Sequence, residues 1–294
     1  MRKPTSERPL RVLSLGAGVQ STTVLLLSCH GQLPWLDVAI FADTGWEPPS
    51  VYRHLDWLTK ESASNGIPVH VVRQGNIKQD ALESQVRGKA EGGKRWASMP
   101  YFVQGADGNA GMIRRQCTYE YKIRPIERFM RRKLLGLRPG QRAPREPVIE
   151  QWFGISVDEV QRAKSSRDPW KTHLYPLIGQ ICGEGRDYLS RPWTRLDCLN
   201  WLEANYPGRR IPRSACIGCP FHSDAEWRWL RDHEPEAFAD AVAFDRAIRR
   251  TGGMRGEVYL HSSRRPLDEV DLSTDIDRGQ LTLWEIACDG MCGA

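Results

Sequence analysis

Two of the eight cysteines form a C-x-x-C pair, Cys216 and Cys219, directly followed by Pro220. This spacing lets two thiolates reach one metal ion or one iron–sulfur cluster. Zinc would need two further Cys or His ligands, and although His222 is close, the sequence has no second C-x-x-C pair. A redox-active dithiol is the alternative, but the pair lacks the strand-to-helix position of a thioredoxin motif.

Cys117 lies in a basic stretch of the chain, between Arg114 and Arg115 on one side and Lys122 on the other. Nearby positive charges lower the pKa of a thiol and favour its thiolate. The stretch therefore predicts a reactive cysteine, and Arg115 is a candidate catalytic cation.

Cys288 and Cys292 lie in a glycine-containing stretch near the C-terminus. A thiol on such a tail can swing, which suits a transfer step, so Cys292 is a candidate catalytic nucleophile. The alternative is an ordinary free thiol on a loose end. The remaining cysteines lie in apolar or helical settings and are interpreted as structural: Cys29, Cys182 and Cys198.

A glycine-rich loop at residues 14–21 lies between a predicted strand and a predicted helix. A backbone that wraps a phosphate needs glycines, and the N-terminus of the following helix attracts the anion. The loop lacks the Lys of a Walker motif and the third glycine of a Rossmann motif. A glycine-rich turn without a ligand is the alternative. The residues predicted to bind a nucleotide here are Ser14, Gly16, Ala17, Gly18, Gln20, Ser21 and Thr22.

Asp43, Thr44 and Gly45 follow the second predicted strand. Ligands of open parallel sheets bind at the carboxyl ends of the strands, so all three residues are predicted to contact the nucleotide. Asp43 is also a catalytic candidate that could hold a ribose or a magnesium-bound phosphate. The alternative is a strand-to-helix turn in which Asp43 or Thr44 serves as a cap.

These residues must be positioned by the strands and helices between them. The strand and helix patterns alternate along the sequence, which predicts an α/β fold with a parallel twisted sheet and flanking helices. We expect an α/β nucleotide-binding domain over 1–180 and a smaller, mostly helical, cysteine-bearing region over 181–294. The predicted strands are 10–15, 36–42, 68–72 and 148–155. The predicted helices are one starting at 21 and those at 48–63, 114–135 and 194–205, with capping-box patterns at 156–159 and 223–226.

The 294-residue composition is that of an ordinary globular protein, with 40% hydrophobic and 27% charged residues. No apolar run reaches the roughly 20 residues of a membrane helix, and no signal-peptide pattern follows the basic start, so we expect a cytoplasmic protein with no membrane partner. The net charge of +6 is compatible with a polyanionic partner, and equally with a solvated basic surface.

Taken together, the motifs resemble those of the adenosine phosphosulfate and phosphoadenosine phosphosulfate reductase family of PP-loop enzymes, most closely its phage and actinobacterial reductase-like members. The family's Ser-Gly-Gly-x-Asp-Ser loop corresponds to 14–21, its Asp-Thr-Gly to 43–45, and its Cys-x-x-x-Lys-Val-x-Pro helix is similar to 117–125. Its iron–sulfur members carry a C-x-x-C similar to 216–219 and a Glu-Cys-Gly tail similar to 291–293. The resemblance spans residues 10–294 in order.

The resemblance implies an adenine nucleotide alpha hydrolase-like fold, ATP or a related adenine nucleotide, and a [4Fe-4S] cluster. The loop aspartate is replaced by Gln20, which leaves open whether Mg²⁺ is a further cofactor and whether ATP is cleaved. The family's paired cysteines are here Gln116 and Cys117, so the fourth ligand is Cys288, Cys292 or none, in which case one iron is open. The predicted ligands are Cys117, Cys216, Cys219 and Cys288.

Three functions are compatible with these residues. The first is an ATP-dependent, adenylating sulfurtransferase that acts on nucleic acid, tRNA or DNA, with a separate sulfur donor. The second is a sulfonucleotide reductase that uses Cys292 and a thioredoxin-like reductant, and the third is a non-enzymatic nucleotide-binding module. A homodimer is one option for the assembly.

The long basic segment 87–113 is predicted to be a mobile loop, either a nucleic-acid contact or a lid over a small nucleotide. In the first case its cations bind phosphates and its aromatic rings stack on bases. The cations assigned to that role are Lys89, Lys94 and Arg95 within the segment, and Arg114 and Arg115 directly after it. The aromatic residues are Trp96, Tyr101 and Phe102.

Overall fold

The computed structural model of the chain describes residues 4–86, 99–105, 108–179, 188–250, 256–273 and 277. These residues form the strands β1 Leu10–Leu15, β2 Val38–Asp43, β3 Val69–Arg73, β4 Phe102–Gln104, β5 Ala110–Met112, β6 Ile149–Phe153, β7 Lys171–Leu174 and β8 Glu257–Tyr259. The α-helices are α1 Val19–Cys29, α2 Pro49–Ser64, α3 Ile77–Val86, α4 Arg124–Phe129, α5 Arg195–Asn205, α6 Asp224–His233 and α7 Pro235–Ile248. Short π-helical turns, Thr118–Ile123 and Met130–Leu134, flank α4, and 3-10 turns span Val157–Arg162 and Leu267–Glu269.

The central sheet is parallel throughout and has the order β3-β2-β1-β6-β7. All six residues of β2 are buried, as expected for a strand covered by helices on both faces. The chain adds β2 and β3 on one side of β1, and β6 and β7 on the other. The direction of winding therefore reverses between β1 and β6, which is where ligands bind in open α/β sheets.

The predicted α/β class and parallel sheet are confirmed, and each predicted strand matches an observed one to within a few residues. Helix α3, which the sequence patterns did not predict, follows β3 and packs against α7. The predicted long helix at 114–135 is present as α4 between its two π-helical turns, with Pro125 in the first turn of α4.

Two local predictions are wrong. The segment 87–113 is not one irregular loop, because β4 and β5 form an antiparallel hairpin that β8 extends into a three-stranded sheet; residues 87–98 lie outside the described ones. The Ser156 side chain does not cap the turn that follows it, but donates to Asp158 instead. The capping box at Ser223, by contrast, is present at the start of α6.

Residues on both sides of position 180 share hydrophobic clusters. Cys198 and Leu202 of α5 pack with the leucines of α1, and Trp227 and Phe244 pack in the cluster that contains Trp46. The chain beyond α5 is therefore packed directly against the elements that carry the predicted nucleotide site.

The junction of α6 and α7 caps a distant helix. The buried carboxylate of Glu234 accepts the Ser50 N–H at 2.7 Å and the Arg53 guanidinium at 2.9 Å. Ser50 lies in the first turn of α2, so Glu234 satisfies a backbone donor that has no partner within that helix. Within the described ranges, no helix is both long and apolar enough to cross a membrane.

Candidate functional site

The predicted phosphate loop, residues 14–21 and called the phosphate loop below, lies between β1 and α1, at the point where the sheet reverses direction. Gly18 precedes α1 in an extended conformation, and no side chain caps the helix. Ala17 has a φ of +57°, a left-handed conformation that costs a non-glycine residue energy and is concentrated at functional turns. The loop thus directs the first turn of α1 toward the edge where an anion would bind.

Serine hydroxyls hold the loop in shape. Gly16 N–H donates to Ser21 Oγ at 3.2 Å, and this hydroxyl donates to Gly18 O at 3.3 Å. Ser14 Oγ accepts a hydrogen bond from Gln151 Nε2 of β6 at 2.8 Å. The loop is therefore fixed both within itself and to the neighbouring strand.

Gln20 points away from the loop into a buried polar network. Its amide nitrogen donates to Glu159 Oε2 at 3.3 Å, and its oxygen accepts from Arg195 Nη1 at 3.0 Å. Burial raises the pKa of Glu159, and the nearby Arg162 opposes that shift. Gln20 thus connects α1 to the 3-10 turn Val157–Arg162 and to α5.

Asp43 is occupied by protein donors. Its carboxylate accepts the Gly45 N–H at 2.7 Å, the Tyr52 hydroxyl at 2.9 Å and the Arg73 guanidinium through Nε at 2.9 Å and through Nη2. Burial and this carboxylate raise the pKa of Tyr52 to about 12. Asp43 therefore caps the turn at Gly45, and both of its carboxylate oxygens already accept hydrogen bonds from the protein.

His54 of α2 supports the first turns of α1 from behind. Its Nε2 lies 3.0 Å from Thr22 Oγ1, and both side chains are buried. Burial, assisted by Arg209, lowers the pKa of His54 to about 4. The imidazole is therefore neutral at physiological pH.

We expect this histidine to make the fold sensitive to acid. Below the ordinary pKa of 6.5 the unfolded chain binds a proton at His54 that the folded chain does not, so its contribution to stability is lost as pH falls from 6.5 to about 4. Between about pH 7.5 and about pH 5 the free energy of unfolding should drop by about 2 kcal/mol more in the wild type than in a His54→Gln variant. Urea unfolding of both proteins at each pH measures this difference, and equal pH dependence would contradict it.

The second part of the site is a pocket beneath the carboxyl end of β2, lined by predicted cluster ligands and by cations. Cys117 precedes the π-helical turn Thr118–Ile123, whose wide i to i+5 spacing brings Lys122 to the same pocket. The lining residues are Thr44, Ile77, Met99, Pro100, Arg115, Cys117, Thr118, Lys122, Cys216, Cys219, Pro220 and Phe221.

Cys216 is buried between the side chains of Thr44 and Glu47. Its Sγ lies 3.3 Å from Thr44 Oγ1 and 3.8 Å from the buried carboxylate of Glu47, which also accepts the Thr44 hydroxyl at 2.8 Å. Burial first, and Glu47 second, raise the pKa of Cys216. Glu47 is a site residue that the sequence motifs did not identify.

Arg115 brings positive charge to the pocket. Its guanidinium lies 5.6 Å from the centre of the Phe221 ring, and its Nη1 is buried without a hydrogen-bond partner among the described residues. A buried, unsatisfied cationic donor is costly unless an anion binds it. The pocket therefore favours a negatively charged group, such as an oxyanion or a thiolate-bound centre.

One short segment joins the pocket to the phosphate loop. A Cβ atom added at Gly16 would lie 3.1 Å from Ser214 Oγ, and one added at Gly18 would lie 3.3 Å from Ser214 Cβ. Two residues later, Cys216 contacts Thr44, and Ile217 N–H donates to Trp46 O at 2.8 Å. The predicted nucleotide and sulfur residues thus form adjoining parts of one site.

Three cysteines that line the pocket are candidate ligands for a metal centre. Among the described residues, no group of three or more His, Cys, Asp or Glu side chains is arranged to hold a metal ion. Cys117, Cys216 and Cys219 nevertheless line the same pocket, and sulfur donors beside cations suit an iron–sulfur cluster. The fourth predicted ligand, Cys288, and the predicted nucleophile, Cys292, lie outside the described residues.

Comparison with protein-family models and with curated proteins gives no match. The family resemblance therefore rests on the sequence motifs alone.

Three further sequence predictions can be compared with the structure. Cys198 is buried in the core and Cys29 packs against the same cluster, as expected for structural cysteines. Burial raises the pKa of Cys198 to about 12 and that of Cys29 to about 11. Cys182 lies outside the described residues.

Tyr101 is only 1% exposed, so the prediction that it stacks on a nucleic-acid base is wrong. Trp96 and the basic residues 89–95 lie outside the described residues.

Proposed function

We propose that the chain is a PP-loop enzyme that activates its substrate with ATP and transfers sulfur to it, and that the substrate is a nucleic acid. The observation that carries this proposal is the segment from Ser214 to Cys219. Its first residue lies against the phosphate loop and its cysteines line the cationic pocket. A nucleotide bound at the loop would therefore lie next to the sulfur-bearing groups.

In this mechanism the phosphate loop and the first turn of α1 bind the triphosphate. An oxygen of the acceptor attacks the α-phosphorus, the bond to the β-phosphate breaks, and pyrophosphate leaves. The acceptor then carries an adenylate. Hydrosulfide from the separate sulfur donor attacks the activated carbon at the cysteine pocket, so that a carbon–sulfur bond forms as the carbon–oxygen bond breaks and AMP leaves. Arg115 lies where it can stabilise negative charge on the adenylate or on the incoming sulfur.

Cys117, Cys216 and Cys219, with a fourth ligand, would hold a [4Fe-4S] cluster, which when bound supplies redox-active iron and inorganic sulfide. Glu47 and Thr44 orient Cys216 from the side of β2. Lys122 and Arg115 place positive charge beside the thiolates, which offsets the negative charge that a thiolate-bound cluster carries.

A sulfonucleotide reductase is the second candidate. It is favoured by the occupied carboxylate of Asp43 and by the position of Gln20, because a reductase holds its nucleotide without metal-assisted cleavage. In that reaction Cys292 attacks the sulfate sulfur, the bond to the nucleotide breaks, and a thiosulfonate remains. A thioredoxin-like thiol then attacks the Cys292 sulfur and releases sulfite.

One preparation tests both candidates. Protein purified without oxygen is assayed for iron, acid-labile sulfide, and pyrophosphate release from ATP with and without bulk tRNA or DNA. We expect nucleic-acid-dependent pyrophosphate release that an Arg115→Gln variant reduces by about tenfold or more, since a charged donor at the reacting groups contributes at least that much. Sulfite release from a sulfonucleotide with thioredoxin, lost in Cys292→Ser, would establish the reductase instead, and absence of iron would reject the cluster.

A further inference from the structure

Two consecutive exposed arginines, Arg209 and Arg210, lie over the surface between α2 and α6. We call them the arginine pair. The Arg209 guanidinium lies 3.9 Å from the centre of the Trp57 ring in α2, and that of Arg210 lies 3.9 Å from the centre of the Trp229 ring in α6. The segment that follows α5 thus crosses both helices with a cation stacked on each.

Stacking on tryptophan fixes the guanidinium planes and leaves their edges available. A stacked guanidinium keeps its N–H donors in its own plane, where they can bind phosphate oxygens in pairs. Among the described residues, no carboxylate lies within ion-pair distance of either arginine. The charge of Glu234 acts on Arg210, but Glu234 is buried and already paired with Arg53, whose side chain is 69% exposed.

The arginine pair lies close in sequence to a residue that contacts the phosphate loop. Four residues after Arg210, Ser214 lies against Gly16 and Gly18 of the phosphate loop. A polyanion bound by the arginine pair would therefore lie near the segment that contacts the predicted nucleotide-binding loop.

We propose that the arginine pair, together with Arg53, binds the phosphate backbone of a single-stranded nucleic-acid segment and guides it to the phosphate loop. The inference rests on the proposed function only for the class of acceptor. It assigns the contact surface to this side of the molecule. The basic segment 87–95, which the sequence suggested, is then not required for binding.

The test is direct binding of fluorescein-labelled single-stranded RNA and DNA of about 20 nucleotides, measured by fluorescence anisotropy between about 0.05 and 0.2 M salt. We expect the double variant R209A/R210A to bind about tenfold more weakly and to show a salt dependence lower by about 1.4, since each single-strand phosphate contact contributes about 0.7. The matched control is Arg250→Ala, which removes a side chain that is 85% exposed elsewhere on the surface.

The proposal fails if wild-type protein does not bind either strand, or if Arg250→Ala weakens binding as much as the double variant. It also fails if the double variant loses binding only to vesicles of phosphatidylglycerol, because the surface would then contact a membrane. ATP binding by the double variant shows that the fold and the phosphate loop are intact. A chain that binds RNA but releases no pyrophosphate would keep this inference and reject the proposed reaction.

Discussion

A Gly154→Ala variant is expected to weaken the proposed nucleotide binding, because its new methyl group would collide with the backbone of α1. Gly154 follows β6 directly, and a Cβ there would lie 2.6 Å from Ser21 Cα and 2.7 Å from the carbonyl carbon of Gln20. Backbone atoms in the first turn of a buried helix cannot rotate aside. The start of α1 must therefore move away from β6, which displaces the N–H groups of the phosphate loop.

The expected loss of stability is about 1–3 kcal/mol, the usual cost of overpacking a filled interior, and ATP affinity should fall by at least about tenfold. Calorimetric titration with ATP and urea unfolding measure the two effects. Gly111→Ala is the matched control, because a Cβ there meets no atom within 4 Å and the substitution is otherwise identical. Wild-type affinity in Gly154→Ala would show that the first turn of α1 does not set the binding geometry.

A Gly218→Ala variant is expected to disrupt the cysteine pocket. A Cβ at Gly218 would lie 2.5 Å from Cζ3 of Trp46. Trp46 cannot easily retreat, since its indole N–H donates to Asp240 at 2.7 Å and its ring packs at 4.6 Å from that of Phe244. The segment that carries Cys216 and Cys219 must move instead, so its thiols should become accessible and iron binding should fall.

Alkylation of thiols with iodoacetamide, followed by mass spectrometry, measures the exposure of Cys216 directly. We expect Cys216 to be alkylated at least about tenfold faster than in the wild type. In the wild type the thiol reacts only after a local opening, and the variant should lower the free energy of that opening by more than about 1.4 kcal/mol. A second substitution, Trp46→Leu, frees space at the contact and should restore protection in the double variant. If Cys216 in the double variant is alkylated as fast as in Gly218→Ala, the clash between residue 218 and Trp46 is not the cause of its exposure.

Much of the sheet was predictable because β2 is an almost continuous apolar run and because glycine or proline flanks β1, β3 and β6. The same local signals placed the phosphate loop and Asp43 at one edge, and the structure has both there. The C-x-x-C spacing and the basic stretch at Cys117 likewise identified residues that line a common pocket. These inferences succeeded because each depends on neighbours in the sequence and on one general rule of sheet topology.

The partners of these residues could not be predicted in the same way. Glu47, Ser214 and Arg73 reach the site only through tertiary contacts, and no spacing in the sequence pairs them with Cys216, Gly16 or Asp43. The hairpin of β4 and β5 was missed because its strands are only three residues long, too short for an alternating pattern to show. Gln20 was expected to face the nucleotide because of its place in the loop, whereas its amide is bonded to Glu159 and Arg195.

The central position of β1 has a consequence for how the protein is made. Leu10–Leu15 precedes the other described strands in the sequence, and its neighbour β6 begins only at Ile149. At ribosomal rates of about 5–20 residues per second, β1 keeps an open edge for roughly 7–28 s. The nascent chain therefore exposes an aggregation-prone strand edge during this time, and we expect its yield in cells to depend on chaperones that act during translation.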